Sequence, residues 1–321
     1  MMDDNSTPVP SVFSYFKARI KELEEQGHQG TALTYQSTLR SLRRFRRNHD
    51  IPFEIVDVFF IDTYDRWLQR RGLKRNTISF YMRVFRALLN RAADEDLYCP
   101  LEPVNRIFRH VYTGVDRTMK RATQVPILEE LLRLDLGCHH TLAPLAVARD
   151  IFFFSFYTRG MAFVDIAFLR RDCIHGTFIT YTRHKTKQKL SITIEPCIRR
   201  ILNRYYYRPN SGGYIFPILQ STVPDRAYAE YRNALSAYNR SLARLRTMLS
   251  LRVGVELPAL TSYVARHTWA TLAHGVDVPI HVISQSLGHA NERTTQIYLD
   301  QLSRDTIDTA NQRVLSLINP D

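Results

Sequence analysis

Cysteine is sparse and scattered. The four residues Cys99, Cys138, Cys173 and Cys197 form no CxxC pair in a chain of 321 residues. That spacing argues against a disulfide framework, and the thiols read as reduced, structural groups of a cytoplasmic protein. Cys138 stands beside His139 and His140, yet no second ligand pair is spaced to complete a site, so zinc is not expected. No long uncharged apolar run occurs, and Asp3 and Asp4 occupy the place where a secretory leader would be basic and then apolar. Neither secretion nor membrane spanning is expected. No internal repeat is visible.

Negative charge is the scarcer sign: 31 acidic residues against 44 Lys and Arg leave a formal charge of +13. Attraction to a polyanion is the default consequence, and the alternative is a merely soluble basic protein. Against that alternative the charge is clustered, since LRSLRRFRRNH packs Arg40, Arg43, Arg44, Arg46 and Arg47 into about two helical turns. The length suits two domains, and 45% apolar residues suffice for two cores.

Residues 1–10 are polar and contain proline, a flexible lead-in. Helical spacing then recurs: Val12, Phe13, Phe16, Ile20 and Leu23 up to Gly27, and Leu33, Tyr35, Leu39, Leu42 and Phe45 after it. A third helix is expected through FIDTYDRWLQRRG to Gly72. A fourth is expected from Asn76 or Thr77, either of which can cap it, with Ile78, Tyr81, Phe85, Leu88 and Leu89 on one face. These four helices make a compact all-α unit over 11–105. Pro100, Pro103 and the polar segment VYTGVDRTMKRATQ read as a linker over 106–125, in which Lys120 and Arg121 either track a phosphate backbone or are simply solvated.

The second unit, 126–321, starts with the helical pattern ILEELLRL and continues as one long buried helix through LAVARDIFFFSFYTRGMAFVDIAFL. Phe178, Ile179 and Tyr181, then Leu190, Ile192 and Ile194, alternate on either side of a basic turn, which predicts a β-hairpin with a lysine-rich tip. Helices follow in AYAEYRNALSAYNRSLARLRTML, around Arg266 and His289, and in the amphipathic tail RDTIDTANQRVLSLI. The fold class is therefore mainly α with a small β-sheet.

Near the C-terminus, LGHANERTTQIYLD sets His289 nine positions ahead of Tyr298, and TSYVARHTWAT places Arg266 upstream. These boxes resemble the HxLRHTxAT and LGHxxxxxTxxYxH motifs of the tyrosine recombinase (phage integrase) family. Residues of several chemistries coincide in order and spacing, which makes the match specific. It implies a helical, SAM-like core-binding domain followed by an α+β catalytic domain. The layout looks like the Xer-like and DNA-inverting members, the RGMxFxD type associated with Bacteroidetes, without a further arm-binding domain.

The resemblance implies site-specific recombination through a covalent 3′-phosphotyrosine. Tyr298 is then the nucleophile, one of 17 tyrosines but the only one in this context. Arg266 grips a nonbridging phosphate oxygen with its forked guanidinium, and His289 donates to the same phosphate or assists Tyr298. Lys185, in the Lys185-Thr186 pair at the hairpin tip, protonates the leaving 5′ oxygen, with Lys187 and Lys189 as alternatives. Two positions depart from the family pattern. Tyr263 stands where the family has histidine; a phenol can donate a hydrogen bond but is a poor base at neutral pH. Ala162 stands at the usual first arginine, and Arg159, one turn ahead if the box is helical, is the expected substitute. Asp165 matches the acidic end of that box and is expected to orient an arginine or cap a helix.

Because each transesterification conserves the phosphodiester energy, no metal, nucleotide or other cofactor is expected. The implied partners are double-stranded DNA carrying an inverted-repeat core site and three further copies of the chain, linked by exchange of the C-terminal helix. In the first domain Arg43, Arg44, Lys74, Arg75, Asn76 and Thr77 are the candidates for phosphate contact, the last four at a helix N-terminus. Two other readings remain: a type IB topoisomerase-like enzyme, and a catalytically silent DNA-binding accessory protein, which Tyr263 and Ala162 keep open.

Overall fold

The computed structural model describes residues 11–116, 122–136, 143–206, 212–289 and 295. Tyr298, Lys120, Arg121, the Cys138–His140 run and the tail beyond 300 lie outside the described residues. The chain divides into two compact units, Met1–Thr118 and Met119–Asp321.

In the first unit α1 (Val12–Glu25) buries Val12, Phe13, Phe16, Ile20 and Leu23, the residues that share its apolar stripe. The Ser11 side chain caps it by accepting from the Ser14 N–H. α2 (Gln29–Phe45) and α3 (Val58–Arg70) follow, the latter capped by the Asp57 carboxylate on the Phe60 N–H at 2.7 Å. Tyr64, fully buried, satisfies its hydroxyl by donating to Ser41 Oγ at 2.7 Å.

α4 (Arg75–Asp94) begins one residue before Asn76, so neither Asn76 nor Thr77 is its cap. The Asn76 amide is used elsewhere: it donates to the Asp116 carbonyl at 2.9 Å and accepts from the Asp116 N–H at 2.7 Å. A side chain that satisfies both backbone groups of one residue is a better tie than a cap, and it draws in a segment expected to be a linker. The short α5 (Val104–Ile107) leads into this segment, and Ile107, Phe108 and Val111 are buried in the same core as Phe16 and Phe85. Packing of the first unit thus runs to residue 116, past the expected boundary at 105. Apolar residues hidden among prolines and polar positions carry it there.

The second unit opens with α6 (Val125–Arg133). α7 (Ala143–Tyr157) follows, apolar on nearly every side and packed on four other helices of the unit. The expected continuation of α7 to residue 169 fails. Thr158 turns its hydroxyl back to the Phe154 carbonyl, Arg159 and Gly160 adopt φ of 59° and 77°, and a separate short helix α8 (Phe163–Ala167) starts after Ala162. Two successive left-handed residues cannot continue a right-handed helix.

β1 (Ile174–His175), β2 (Phe178–Thr182) and β3 (Lys189–Thr193) form an antiparallel sheet in that order. Ile179 faces Ile192 and Tyr181 faces Leu190, so the alternation read from sequence holds in register. α9 (Pro196–Tyr205) packs behind α7, and the long α10 (Pro224–Val253) ends at Gly254 with φ 73°. α11 (Val264–Gly275) and α12 (Ile280–Ser286) then deliver the chain to the Leu287–His289 turn. No helix among the described residues is long and apolar enough to cross a membrane.

Candidate active site

Arg266 sits in the first turn of α11 and is only 3% exposed, so it is not a surface cation. A buried guanidinium requires acceptors, and three groups supply them. Arg266 donates to the Gly160 carbonyl at 2.7 Å, to the Leu287 carbonyl at 2.6 Å and to His289 Nε2 at 2.9 Å. The left-handed turn after α7 is what aims the Gly160 carbonyl at this guanidinium. Its glycine is needed twice, since a Cβ on Gly160 would lie 2.8 Å from Arg266 Cγ at a backbone angle that L-residues rarely adopt.

The tautomer of His289 follows from its neighbours. Arginine has no acceptor, so Nε2 accepts and the proton resides on Nδ1, which donates to Thr295 Oγ1 at 2.7 Å. Desolvation, then the positive charges of Arg266, Arg183 and Lys185, depress its pKa to about 3. His289 is therefore a neutral imidazole at physiological pH.

The hairpin joins the same cluster. Arg183, 4% exposed and just beyond β2, donates to the Gly288 carbonyl, and Thr186 Oγ1 donates to the same oxygen at 3.2 Å. Lys185 lies between them, exposed at the tip. Buried Tyr181 registers the charges that converge here: burial and the Asp165 carboxylate raise its pKa, whereas Arg266, Arg183 and Arg159 lower it. Burial is the largest of these effects, and Tyr181 is a core residue.

Of the residues expected from sequence, Arg266, His289, Lys185 and Arg159 belong to one neighbourhood. Arg159 occupies the turn between α7 and α8 rather than a helix face, so its offset from Ala162 is not one helical turn, and Ala162 is the cap of α8. Its side chain makes no hydrogen bond or ion pair among the described residues. Asp165 is neither a helix cap nor bonded to an arginine among the described residues. It is 3% exposed, and its Oδ1 accepts from the His184 backbone N–H at 2.8 Å and lies 3.3 Å from His184 Nδ1, so it anchors the hairpin. Tyr263 precedes α11 as its cap residue, 45% exposed, with its ring 6.0 Å from that of His267.

Sequence reasoning missed Arg183, Thr186 and Thr295. Arg183 had a signal: it continues the inward parity of Ile179 and Tyr181, so strand alternation points it at the core. Thr295 lies within the TTxxY spacing, but nothing in that spacing marks it as the partner of a histidine.

In the first unit Arg40, Arg44 and Arg71 line a hollow with Trp67 and Tyr81, a set of guanidinium and aromatic groups suited to a phosphate or a base. Arg43 is half-buried with its guanidinium 5.8 Å from the Phe13 ring centre. Arg75 stacks 3.7 Å over Tyr112 and lies 3.4 Å from Asp116, so its charge is already engaged, and Asn76 is tied to Asp116. Lys74 is exposed and Thr77 half-buried in the first turn of the helix.

Two family models match the chain: the phage integrase SAM-like domain over residues 11–107 and the phage integrase family over 139–304. The chain belongs to the phage integrase family of tyrosine recombinases. Its chemistry is accordingly that of a site-specific DNA recombinase family. The fold is similar to the Tn1549 transposon integrase in complex with transposon right end DNA, at 15% identity and TM-score 0.69, covering 95% of this chain and 99% of that one. It is also similar to a lambda integrase dimer bound to a COC′ core site, at 16% identity and TM-score 0.62, covering 92% and 97%. A lambda integrase tetramer bound to a Holliday junction matches at 15% identity and TM-score 0.61, covering 92% of this chain and 78% of that chain. No curated protein matches the chain.

Proposed function

We propose that this recombinase cuts and rejoins duplex DNA through a 3′-phosphotyrosine on Tyr298. The observation that carries the reading is the buried Arg266–His289 pair: a permanent cation held by two carbonyls against a neutral imidazole of fixed tautomer. Such a pair is preorganised for a phosphate whose charge grows in the transition state. The Tyr298 phenol, with an ordinary pKa of about 10, gives its proton to solvent among these cations and attacks as phenolate. Its oxygen bonds to phosphorus, the P–O5′ bond breaks, and the Lys185 ammonium gives its proton to the departing oxygen. Arg159 supplies a further cation to the phosphate, and the exposed Tyr263 hydroxyl donates to a nonbridging oxygen.

Lys74, Arg75, Asn76, Thr77, Arg43 and Arg44, together with Lys120 and Arg121, serve DNA binding in this reading. The target is an inverted-repeat core site bound by four copies, which exchange the amphipathic segment after Arg304. No cofactor enters the scheme.

The test is a two-site exchange assay on fragments carrying the inverted repeat found in DNA flanking the gene. Recombinant fragments and a denaturation-resistant protein–DNA adduct are expected. Relaxation of a single supercoiled duplex without exchange would assign the chain to topoisomerase chemistry instead.

A further inference from the structure

Lys185 sits in an exposed turn with its ammonium on a flexible four-carbon stem of many rotamers, a poor place from which to deliver a proton to one oxygen atom. The backbone beneath it is not free, however. One residue before it, the His184 N–H donates to Asp165 at 2.8 Å; one residue after it, Thr186 Oγ1 donates to the Gly288 carbonyl at 3.2 Å. Two residues before it, Arg183 is buried and donates to that same carbonyl. Gly288 is fitted to this contact. Its φ is 63°, and a Cβ there would lie 3.0 Å from Arg183 Cδ and 3.0 Å from Leu190 Cδ1.

We propose that Arg183 is a positioning residue for strand cleavage: with Thr186 it staples the hairpin tip to the turn carrying His289, and so holds Lys185 over the scissile phosphate. The guanidinium's acceptor is the Gly288 carbonyl, a backbone oxygen one residue before His289. An arginine is suited to this task because its planar fork locks a carbonyl in direction as well as distance. Lys185 and Arg183 both act electrostatically on His289, which places acid, staple and imidazole in one neighbourhood.

This inference rests on Lys185 being the acid of the proposed reaction, and the experiment separates the two. Cleavage is timed on two suicide duplexes of the exchanged site, one natural and one with sulfur replacing the bridging 5′ oxygen. A thiolate leaves without protonation because its parent thiol is a far stronger acid than an alcohol, so sulfur removes the need for the acid. Lys185→Ala is the reference, and loss of a general acid slows the natural substrate by about 100-fold or more. Arg183→Met is expected to share both its slow cleavage of natural DNA and its recovery on the sulfur substrate. Arg183→Lys should restore part of the rate, and Thr186→Val should show the same pattern in weaker form, which keeps the test open if Arg183→Met folds poorly. Equal slowing of the Arg183 and Thr186 variants on both substrates, or no slowing on either, would overturn the positioning role while leaving the recombinase reading intact. If Lys185→Ala itself gains nothing from sulfur, the acid assignment falls, and the positioning role with it.

Discussion

Arg266 donates to His289 Nε2 at 2.9 Å, and this contact decides where the imidazole proton resides, while burial first and the neighbouring cations second keep the ring neutral. A neutral His289 with its pKa held near 3 has a consequence for stability against pH. The unfolded chain takes up a proton at this residue below about pH 6.5, whereas the folded protein resists it until about pH 3. Between those values the unfolded state binds more protons, so this contribution is complete above pH 6.5 and is lost progressively as pH falls towards 3. Thermal melts of the wild type are expected to lose stability across that window. His289→Gln, which keeps an acceptor but cannot charge, should show a shallower loss; identical pH profiles would refute the assignment.

Gly160 joins the end of α7 to the arginine. Gly160→Ala forces a side chain into a φ of 77° and into contact with Arg266 Cγ. Expected are a destabilisation of about 1–3 kcal/mol and a fall in DNA cleavage larger than the change in DNA affinity. Calorimetry and a suicide-substrate assay check the two parts.

Arg159 adopts a left-handed conformation, costly for an arginine and cheap for a glycine. Arg159→Gly should therefore leave thermal stability unchanged or raise it, while cleavage drops by orders of magnitude through loss of a transition-state cation. Near-normal cleavage would eliminate the clamping role. Partial recovery in the double change Arg159→Gly with Ala162→Arg would show that the charge can be supplied from either side of the turn.

The hollow lined by Arg40, Arg44 and Arg71 gathers three guanidinium side chains in the first unit. Reversing Arg44 and Arg71 to Glu should weaken DNA binding and flatten the dependence of log affinity on log salt, because fewer counterions are released. Binding titrations at several salt concentrations measure the slope. An unchanged slope would mark the hollow as facing away from DNA.

The legible part of this molecule was what depends on period and on motif. Val12, Phe16 and Leu23 announced α1, and the alternation from Phe178 to Ile194 announced the hairpin and its register. Arg266 and His289 were found by the resemblance of their boxes to the family motifs, and they meet. What local pattern could not carry was everything decided across the chain. Asn76 has the chemistry of a cap but is claimed by Asp116, forty residues away. Asp165 is matched to an arginine by motif but anchors His184. The apolar run from Leu145 to Leu169 reads as one helix because period says nothing of the left-handed pair at Arg159 and Gly160, which tertiary demand for the Gly160 carbonyl explains. Arg183 was visible only by extending strand parity one residue beyond the strand.

The central claim is that Tyr298 becomes covalently attached to DNA, and peptide mapping tests it most directly. Wild-type protein trapped on a nicked duplex of its site is digested with nuclease and trypsin, which cuts after Arg293 and Arg304. Mass spectrometry is expected to find a nucleotide on the 294–304 peptide, whose one tyrosine is Tyr298, and to find none from Tyr298→Phe protein that still binds the duplex. A nucleotide on any other peptide, or an undiminished adduct from Tyr298→Phe, would contradict the account.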